Sequence, residues 1–451
     1  MGSYVMGKYQ GYGKYKDSGV EWLGEIPEHW EVCHIKRVAN VSYGVGGEID
    51  KGLTDGVNLL SLPNVTQDGV LIIDDFGFCE LNEQEKEKVL LQKGDLLFNW
   101  RNGSSSHLGK TAYFDLDGEW THVSFLLRLR FNAIESDSKY FQYMLNGLRI
   151  TGFFMVSKAG VNNTFNLNEL NNLKVIYPPP DEQKAIARFL DYKTKQIDDL
   201  IAKKEALIAK LDEKRTALIS HAVTKGLDPT VPMKDSGVEW LGEIPEHWSL
   251  ILLRLRYLIE LGKMLDQRRI SGDYLVKYLR NVDVQWDFIN QNDLPEMDIN
   301  PNEYERYLVK NGDLLVCEGG ESGRSAIVQG VDGILGFQKA IHRLRVIGTE
   351  EIPRFLFYTF YYLVKLGVFV AEGNPNTITH LTVEKLKLYR LPRPPKKEQQ
   401  AIVTYLDHKT AEIKQQKAKI QQAIELLKEY RTALITNAVT GKIDVRQVPI
   451  P

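Results

Sequence analysis

Two stretches of the chain carry the same spacing of apolar positions. From Glu182 to Gly226, and again from Glu398 to Lys442, apolar residues recur at intervals of three, four and seven. This spacing places them on one face of an α-helix, with charged residues on the other faces. Neither stretch contains Pro or Gly before its final two residues. Each therefore predicts an uninterrupted helix of about 41 residues, about 60 Å long.

A helix of this length needs a partner to cover its apolar face, and the nearest candidate is the other copy. The first helix leads from the first half of the chain to the second, and the second helix leaves the second half. If the two halves lie at opposite ends, the helices pair as an antiparallel coiled coil with a pseudo-two-fold axis. The predicted core positions of the coil are Ile186, Leu190, Ile197, Ile201, Ile208, Leu211 and Leu218, with Ile402, Leu406, Ile413, Ile420, Ile424, Leu427 and Leu434.

The chain is an internal duplication. Aligned without gaps at an offset of 216 residues, the two helical stretches are identical at 22 of 45 positions. A second repeat, KDSGVEWLGEIPEHW, occupies Lys16–Trp30 and recurs unchanged as Lys234–Trp248; we call each copy a tag. Its Trp, Ile and Pro residues predict a compact hydrophobic clasp docked on a surface. His29 and His247 are weak candidates for metal ligands, because no other ligand-type residues cluster with them.

Each tag is separated from the following helix by a block of about 150 residues, a usual size for one domain. Both blocks contain a turn and apolar strand, KGDLLF and NGDLLV, that lead into a polar loop. Helices are predicted around Ser138 to Leu148 and Pro353 to Leu366, and a Pro-rich stop precedes each long helix. The predicted fold class is α+β, with two mixed α/β domains separated by the long helices. The predicted segments are 1–30 (first tag), 31–181 (first domain), 182–226 (first long helix), 227–248 (linker and second tag), 249–397 (second domain), 398–442 (second long helix) and 443–451 (tail).

Composition excludes few classes of protein. The 451 residues are 43% hydrophobic, with a formal net charge of −2, as in an ordinary soluble protein of two to four domains. Three distant cysteines argue against a disulfide framework and fit a reducing cytoplasm. The most apolar run, Phe355 to Ala371, is interrupted by Lys365, so we expect a buried helix and no membrane partner. No secretory signal is evident.

Catalytic motifs are not evident. The segment Asn374-Pro375-Asn376-Thr377 does not fit the Asn/Asp-Pro-Pro-aromatic motif of an amino-methyltransferase, and no GxxxxGK[ST] phosphate loop occurs. Pro180-Asp181 followed by Asp191 and Lys193 formally resembles a metal-dependent nuclease motif. However, these residues fall on the predicted start and polar face of a helix, and the second copy has Lys397 in place of Asp181. We predict no catalytic residue and no metal site.

Two inverted domains held at a fixed separation suit duplex DNA, in which half-sites lie roughly 34 to 36 Å apart. Because the two domains differ in sequence, we expect two unlike half-sites. Arg, Lys, Asn, Gln and carboxylates read base edges, while Ser, Thr and Lys also hold phosphates. Any one of these residues could instead be a solvated turn residue. The candidate DNA-binding residues are Arg101, Asn102, Ser104, Ser105, Ser106, His107, Lys110, Asn162, Asn163 and Thr164, and Glu318, Glu321, Ser322, Arg324, Gln338, Lys339, Asn374, Asn376 and Thr377.

Local charge predicts weak binding by the chain alone. Residues 31–180 contain 14 Lys and Arg against 18 Asp and Glu, a net charge of −4. Residues 249–396 contain 20 Lys and Arg against 18 Asp and Glu, a net charge of +2. Phosphate neutralisation dominates non-specific affinity, so we expect the chain alone to bind DNA weakly.

The chain contains a tag, a variable domain and a long helix, and the same order then occurs a second time. This arrangement resembles that of the specificity subunit of type I restriction-modification systems over nearly the whole chain. The matching elements are SGVEWLGEIPEHW twice, KGDLLF and NGDLLV, YPPPDEQKAIARFLDYKT and RPPKKEQQAIVTYLDHKT. In that family each variable block is a target recognition domain that reads one half of a bipartite DNA sequence. The helices set the spacer and dock two methyltransferase subunits.

The resemblance also implies which partners and cofactors to expect. It implies one copy per complex, double-stranded DNA, two methyltransferase subunits and motor-nuclease subunits. The subunit itself would be non-catalytic and bind no cofactor, with S-adenosylmethionine, ATP and Mg on the partners. The alternative is a two-headed coiled-coil scaffold that binds proteins or glycans.

Overall fold

The two long helices extend without a break, because Ala, Leu, Lys, Glu and Gln, all strong helix formers, fill them. In the computed structural model the first long helix is Pro180–Lys225 and the second is Lys396–Val439. The first begins two residues before its predicted start, since Pro is well suited to a first helical turn, where its missing N–H is not needed. It ends before Gly226, whose φ of 77° is the left-handed conformation that terminates many helices.

The structure describes residues 9–46, 53–101, 107–156, 164–265, 271–371 and 381–450. They belong to two units: residues 1–204 with 421–451, and residues 205–420. Each long helix contributes one part of its length to each unit. Within the described residues, no helix combines the length and apolar character needed to cross a bilayer.

The first unit is built on a four-stranded sheet of order β4-β10-β7-β8 and a three-stranded sheet of order β6-β5-β9. Two antiparallel pairs of strands, β1-β2 and β3-β11, complete it. Its strands are β1 (Tyr15–Asp17), β2 (Glu25–Pro27), β3 (Glu31–His34), β4 (Ala39–Tyr43), β5 (Val57–Leu60), β6 (Gly77–Cys79), β7 (Leu96–Asn99), β8 (Thr111–Tyr113), β9 (Trp120–His122), β10 (Leu126–Phe131) and β11 (Lys174–Tyr177). Its shorter helices are Ile35–Val38, Leu62–Asn64, Glu83–Val89, Ser138–Ile150, Phe153–Val156 and Leu167–Asn171.

The second unit repeats this plan. Its four-stranded sheet has the order β15-β23-β20-β21, its three-stranded sheet is β19-β16-β22, and the pairs β12-β13 and β14-β24 match those of the first unit. Its strands are β12 (Met233–Asp235), β13 (Glu243–Pro245), β14 (Ser249–Leu252), β15 (Tyr257–Leu261), β16 (Leu275–Leu279), β17 (Val284–Gln285), β18 (Phe288–Ile289), β19 (Glu296–Asp298), β20 (Leu314–Cys317), β21 (Ser325–Ile327), β22 (Gly336–Phe337), β23 (Ile341–Val346) and β24 (Arg390–Arg393). Its shorter helices are Leu253–Leu255, Asn281–Asp283, Pro301–Glu303, Tyr304–Tyr307, Pro353–Leu366, Val368–Ala371 and Val383–Leu388.

The same bidentate ion pair crosses the central sheet of both units. Arg130 donates from Nε and Nη2 to the two carboxylate oxygens of Asp95, at 2.8 and 2.6 Å. Arg345 makes the same pair of bonds to Asp313, at 2.8 and 2.7 Å. Both aspartates are buried. These contacts use two short sequences that both blocks share, Gly-Asp-Leu-Leu at 94–97 and 312–315 and Arg-Leu-Arg at 128–130 and 343–345.

The two chain ends meet within the first unit. The backbone N–H of Asp444 donates to the carbonyl of Gln10 at 2.7 Å. Tyr15 Oη donates to the carbonyl of Gly441 at 2.9 Å, and Lys442 Nζ donates to that of Glu25 at 2.8 Å. In the second unit an uninterrupted stretch of chain, residues 226–248, joins the corresponding helix end to its tag.

Candidate nucleic-acid interface

The first tag holds the start of the first long helix through one carboxylate. Glu182 accepts hydrogen bonds from Trp30 Nε1 at 3.0 Å and Tyr12 Oη at 3.1 Å. His29 Nε2 lies 2.7 Å from its other oxygen. Tyr12 and Trp30 are buried, so few other partners are available to their polar atoms. His29 is thus bonded to a carboxylate, and the described residues contain no group of three or more His, Cys, Asp or Glu that could hold a metal ion.

The second tag repeats this contact. Trp248 Nε1 donates to Glu398 at 3.0 Å, and His247 Nε2 lies 2.9 Å from the same carboxylate. The tag is therefore more than an apolar clasp, because its His-Trp pair recognises the Glu of the EQ motif that opens each long helix. Each glutamate thereby fixes the start of its helix to the tag that precedes the same domain.

Two further contacts fix each helix on the preceding domain. The Gln183 side chain accepts from the backbone N–H of Asp137 at 2.9 Å, and Gln399 accepts from that of Ile352 at 3.0 Å. Farther along each helix, a tyrosine of the domain donates a hydrogen bond to an aspartate of the helix. These pairs are Tyr143 with Asp191, at 2.7 Å, and Tyr358 with Asp407, at 2.6 Å.

We expect Glu182→Ala to lower the free energy of unfolding by about 1–3 kcal/mol, because a buried Trp N–H loses its acceptor. Glu398→Ala is the matched variant in the second unit. It should cost less, since the Glu398 side chain is 28% exposed against 11% for Glu182. Glu182 also has Tyr12 and Arg446 beside it, in addition to the two tag side chains that each glutamate contacts. Urea denaturation of both variants measures the difference. Equal losses, or no loss for Glu182→Ala, would contradict the importance of this contact.

The two long helices also contact each other within each unit. In the first unit Leu190 and Leu434 share one apolar core, and Arg431 Nε bonds Asp198 at 2.9 Å. In the second unit Ile219 and Ile402 share a core, and Lys417 bonds Asp212 at 2.6 Å. Of the predicted core positions, the buried ones are Ile186, Leu190, Ile197, Leu211, Ile402, Leu406, Ile413, Ile424 and Leu434, and the half-buried ones are Ile201, Ile208, Leu218, Ile420 and Leu427.

In both domains a backbone hydrogen bond joins described residues that flank the two predicted polar loops. In the first, the backbone N–H of Phe165 donates to the Trp100 carbonyl at 2.7 Å, and Arg101 and Thr164 form an isolated β-bridge. In the second, the N–H of Leu381 donates to the Glu318 carbonyl at 2.9 Å. The described residues that follow β7 or β20 therefore lie beside those that end the Asn/Thr-rich segment in each domain.

The described candidates of the first domain differ in accessibility. Arg101 is exposed, and its guanidinium lies 5.5 Å from the centre of the Phe125 ring. Lys110 is buried and donates to the Val65 carbonyl at 3.2 Å, and burial lowers the pKa of its amine. The pKa of His107 is lowered by desolvation first and by neighbouring positive charges second. Arg101 is therefore the described basic group best placed to meet a ligand here.

Most candidates of the second domain have contacts inside the protein. Arg324 donates from Nε to the Val284 carbonyl at 2.8 Å and from Nη2 to Asn281, and buried Ser322 donates to the Glu318 carbonyl at 3.0 Å. Glu321 accepts from Trp286 Nε1 at 2.9 Å. Gln338 is half-buried, and Lys339 is exposed.

Nine candidates lie outside the described residues, and the structure does not place them. They are Asn102, Ser104, Ser105, Ser106, Asn162, Asn163, Asn374, Asn376 and Thr377.

Sequence reasoning missed the aromatic residues beside Arg101. Tyr43, Trp100 and Phe125 come from three different strand ends, and only the order of the strands brings them together. The sequence shows aromatic residues next to a polar loop, and this was the available signal. It does not show which of these rings are exposed, because burial cannot be read from a single sequence.

Comparisons with known proteins agree with this architecture. Residues 27–210 and 259–426 match the family model described as type I restriction modification DNA specificity domain. The chain is 28% identical over 439 residues to the type I restriction enzyme MjaX specificity subunit of Methanocaldococcus jannaschii, covering 94% of this chain and 96% of that protein. It is 23% identical to the EcoKI specificity subunit of Escherichia coli, and the match covers 73% of this chain and 69% of that protein.

Solved structures share the fold. One chain, from a study of complex assembly and conformational transition of the type I R-M system, gives a TM-score of 0.70 at 15% identity and covers 92% of this chain and 98% of that one. The HsdS subunit from Thermoanaerobacter tengcongensis gives a TM-score of 0.54 at 16% identity, covering 93% and 98%. The prediction of two repeated mixed α/β domains is confirmed, and the chain belongs to the type I restriction-modification DNA specificity family.

Proposed function

We propose that each α/β domain reads one half of an asymmetric, bipartite DNA target. The observation that carries this proposal is the combination of one strand order with different residues at the ends of the matching strands. At the end of β7 the first domain presents Trp100 and Arg101, whereas at the end of β20 the second presents Glu318 and Gly319. A shared scaffold with unlike readers suits two unlike half-sites better than a palindrome.

The long helices, on this proposal, form an antiparallel coiled coil with a pseudo-two-fold axis and set the spacer between half-sites. Within the first unit, the early part of the first helix packs with the late part of the second. Within the second unit, the late part of the first helix packs with the early part of the second. An antiparallel pair of helices is the simplest arrangement that gives both of these contacts.

The chemistry is proposed to lie on partner subunits. One copy of this chain would dock two methyltransferase subunits, which use S-adenosylmethionine, and motor-nuclease subunits, which use ATP and Mg. The exposed charged faces of the long helices, away from the buried stripe, are the proposed docking surface. This chain would act by placing the target, with no catalytic residue or cofactor of its own.

A binding titration tests this division of labour. With domain charges of −4 and +2, the isolated chain should bind duplex DNA weakly, and the assembled methyltransferase should bind it at least about tenfold more tightly. Fluorescence anisotropy with and without the methyltransferase subunit, at one fixed salt concentration, measures both affinities. Equal affinity in the two samples would overturn the proposed role of the partners. No binding in either would favour the scaffold alternative.

A further inference from the structure

Three neighbouring strand ends of the first domain present aromatic side chains at one edge of the four-stranded sheet. In the register of β10, Leu127 lies opposite Tyr43 at the end of β4, and Leu126 lies opposite Asn99 at the end of β7. Phe125, which precedes β10, and Trp100, which follows β7, therefore flank the same edge as Tyr43. Arg101, two residues after the end of β7, extends this cluster.

The outer members of the cluster are open to solvent. The side chains of Tyr43 and Phe125 are 40% and 43% exposed, and Arg101 is exposed. The Arg101 guanidinium lies over the Phe125 ring at 5.5 Å from its centre. A cation over an aromatic face is held by the ring's quadrupole, so less side-chain entropy remains to be lost when Arg101 binds a ligand.

Inner contacts hold this surface in place. Trp100 Nε1 donates to the Ser124 carbonyl at 2.7 Å, and the Trp100 and Tyr43 rings pack edge to face at 5.5 Å. The backbone N–H of Leu167 donates to the Tyr43 hydroxyl at 3.4 Å. These contacts hold Trp100 and the partly exposed Tyr43 beside the exposed residues Arg101 and Phe125, which we call the outward pair.

The chemistry of the outward pair matches two features of the DNA major groove. A guanidinium can donate two parallel hydrogen bonds to O6 and N7 of guanine, and a Phe ring makes apolar contact with the C5 methyl group of thymine. Their 5.5 Å separation is of the same order as the roughly 3.4 Å step between stacked base pairs.

The second domain lacks this pair at the matching positions. Cys317 lies opposite Ile341 there, so the positions that correspond to Arg101 and Phe125 are Gly319 and Ala340. Its exposed cation at this edge is Lys339, beside the half-buried Gln338. If DNA binding depends on a thymine methyl group at this edge, the dependence should therefore be confined to the half-site of the first domain.

We propose that Arg101 and Phe125 read a guanine and a neighbouring thymine in the half-site of the first domain, through guanine O6 and N7 and the thymine methyl group. This assignment rests on the proposed function. It names the bases that one of the two readers selects.

The test uses the assembled methyltransferase and chemically altered duplexes. The target is first mapped by methylation sequencing, and exchange of residues 31–181 for the equivalent domain of another specificity subunit identifies the half read by the first domain. Deoxyuridine then replaces thymine in that half, which removes only the methyl group, and 7-deazaguanine replaces guanine, which removes only the N7 acceptor.

We expect deoxyuridine to weaken binding about fourfold, the effect of one buried methyl group. Phe125→Ala should bind the thymine and deoxyuridine duplexes equally. Arg101→Ala should weaken binding about tenfold or more and abolish discrimination against 7-deazaguanine. Lys339→Ala is the control in the second domain and should keep both sensitivities. Retained binding of both variants to the methyltransferase subunit shows that they are folded.

The possible failures can be told apart. A bipartite target whose first half lacks a guanine next to a thymine overturns this assignment and leaves the proposed function standing. The same holds if Phe125→Ala retains the full deoxyuridine effect. A target that is not bipartite, or no sequence-dependent binding, overturns the proposed function itself.

Discussion

Replacing Glu351 with alanine is expected to lower the free energy of unfolding by about 3–5 kcal/mol, the usual result of removing one partner from a buried ion pair. Glu351 Oε2 lies 2.6 Å from Arg256 Nη2, and Oε1 lies 2.8 Å from Arg393 Nε. The side chains of Glu351 and Arg256 are only 1% and 2% exposed. Without the carboxylate, the Arg256 guanidinium stays buried with no opposite charge beside it.

Urea denaturation followed by tryptophan fluorescence measures this loss. The matched control is Glu350→Ala at the adjacent, exposed position, which should change stability by less than about 0.5 kcal/mol. The double variant Arg256→Met with Glu351→Leu should recover most of the stability, because an apolar pair can replace a buried ion pair. The first domain has Val38 and Ser136 at the matching positions, so the architecture does not require the charges. A loss below about 1 kcal/mol for Glu351→Ala would contradict this account.

Deleting one helical turn from both long helices is expected to change the spacer of the target by one or two base pairs and leave both half-sites unchanged. Residues 203–206 and 419–422 are related by the 216-residue repeat, so removing both sets keeps the helices matched. Four residues correspond to about 6 Å of helix, and stacked base pairs are about 3.4 Å apart.

Long-read methylation mapping of a strain that carries the deletion gives the new target. Alanine replacement of the exposed Lys203 and Lys419 keeps the helix length and should leave the spacer unchanged. New half-sites with the old spacer would show that the helices do not set the distance between the readers.

The sequence predicted the repeated elements well, because their signals are local. Periodic apolar residues without Pro or Gly were sufficient for the two long helices, and the helices Ser138–Ile150 and Pro353–Leu366 begin at their predicted residues. The role of the tag was predicted only in part. Its apolar residues indicated a docked segment, but nothing local showed that His29 and Trp30 meet Glu182, 152 residues or more along the chain.

The candidate interface was harder to predict, because a polar side chain in a loop has the same sequence signal whether it faces DNA or the protein. Lys110 and Arg324 have the residue types of DNA readers, yet their described partners are backbone carbonyls and an amide inside the domain. Phe125 did not resemble a reader, because an aromatic residue beside a strand is usually buried. Strand order and burial, which depend on the whole domain, separate these cases.

The meeting of the two chain ends has a consequence for topology. In the first unit, hydrogen bonds between residues 10–25 and 441–444 do what the covalent stretch 226–248 does in the second. Within each unit, the end of one long helix is therefore joined to the tag, by hydrogen bonds in the first unit and by the covalent chain in the second. A circularly permuted chain, joined from Ile450 to Tyr9 and cut between Gly226 and Met233, would retain the contacts described within each unit.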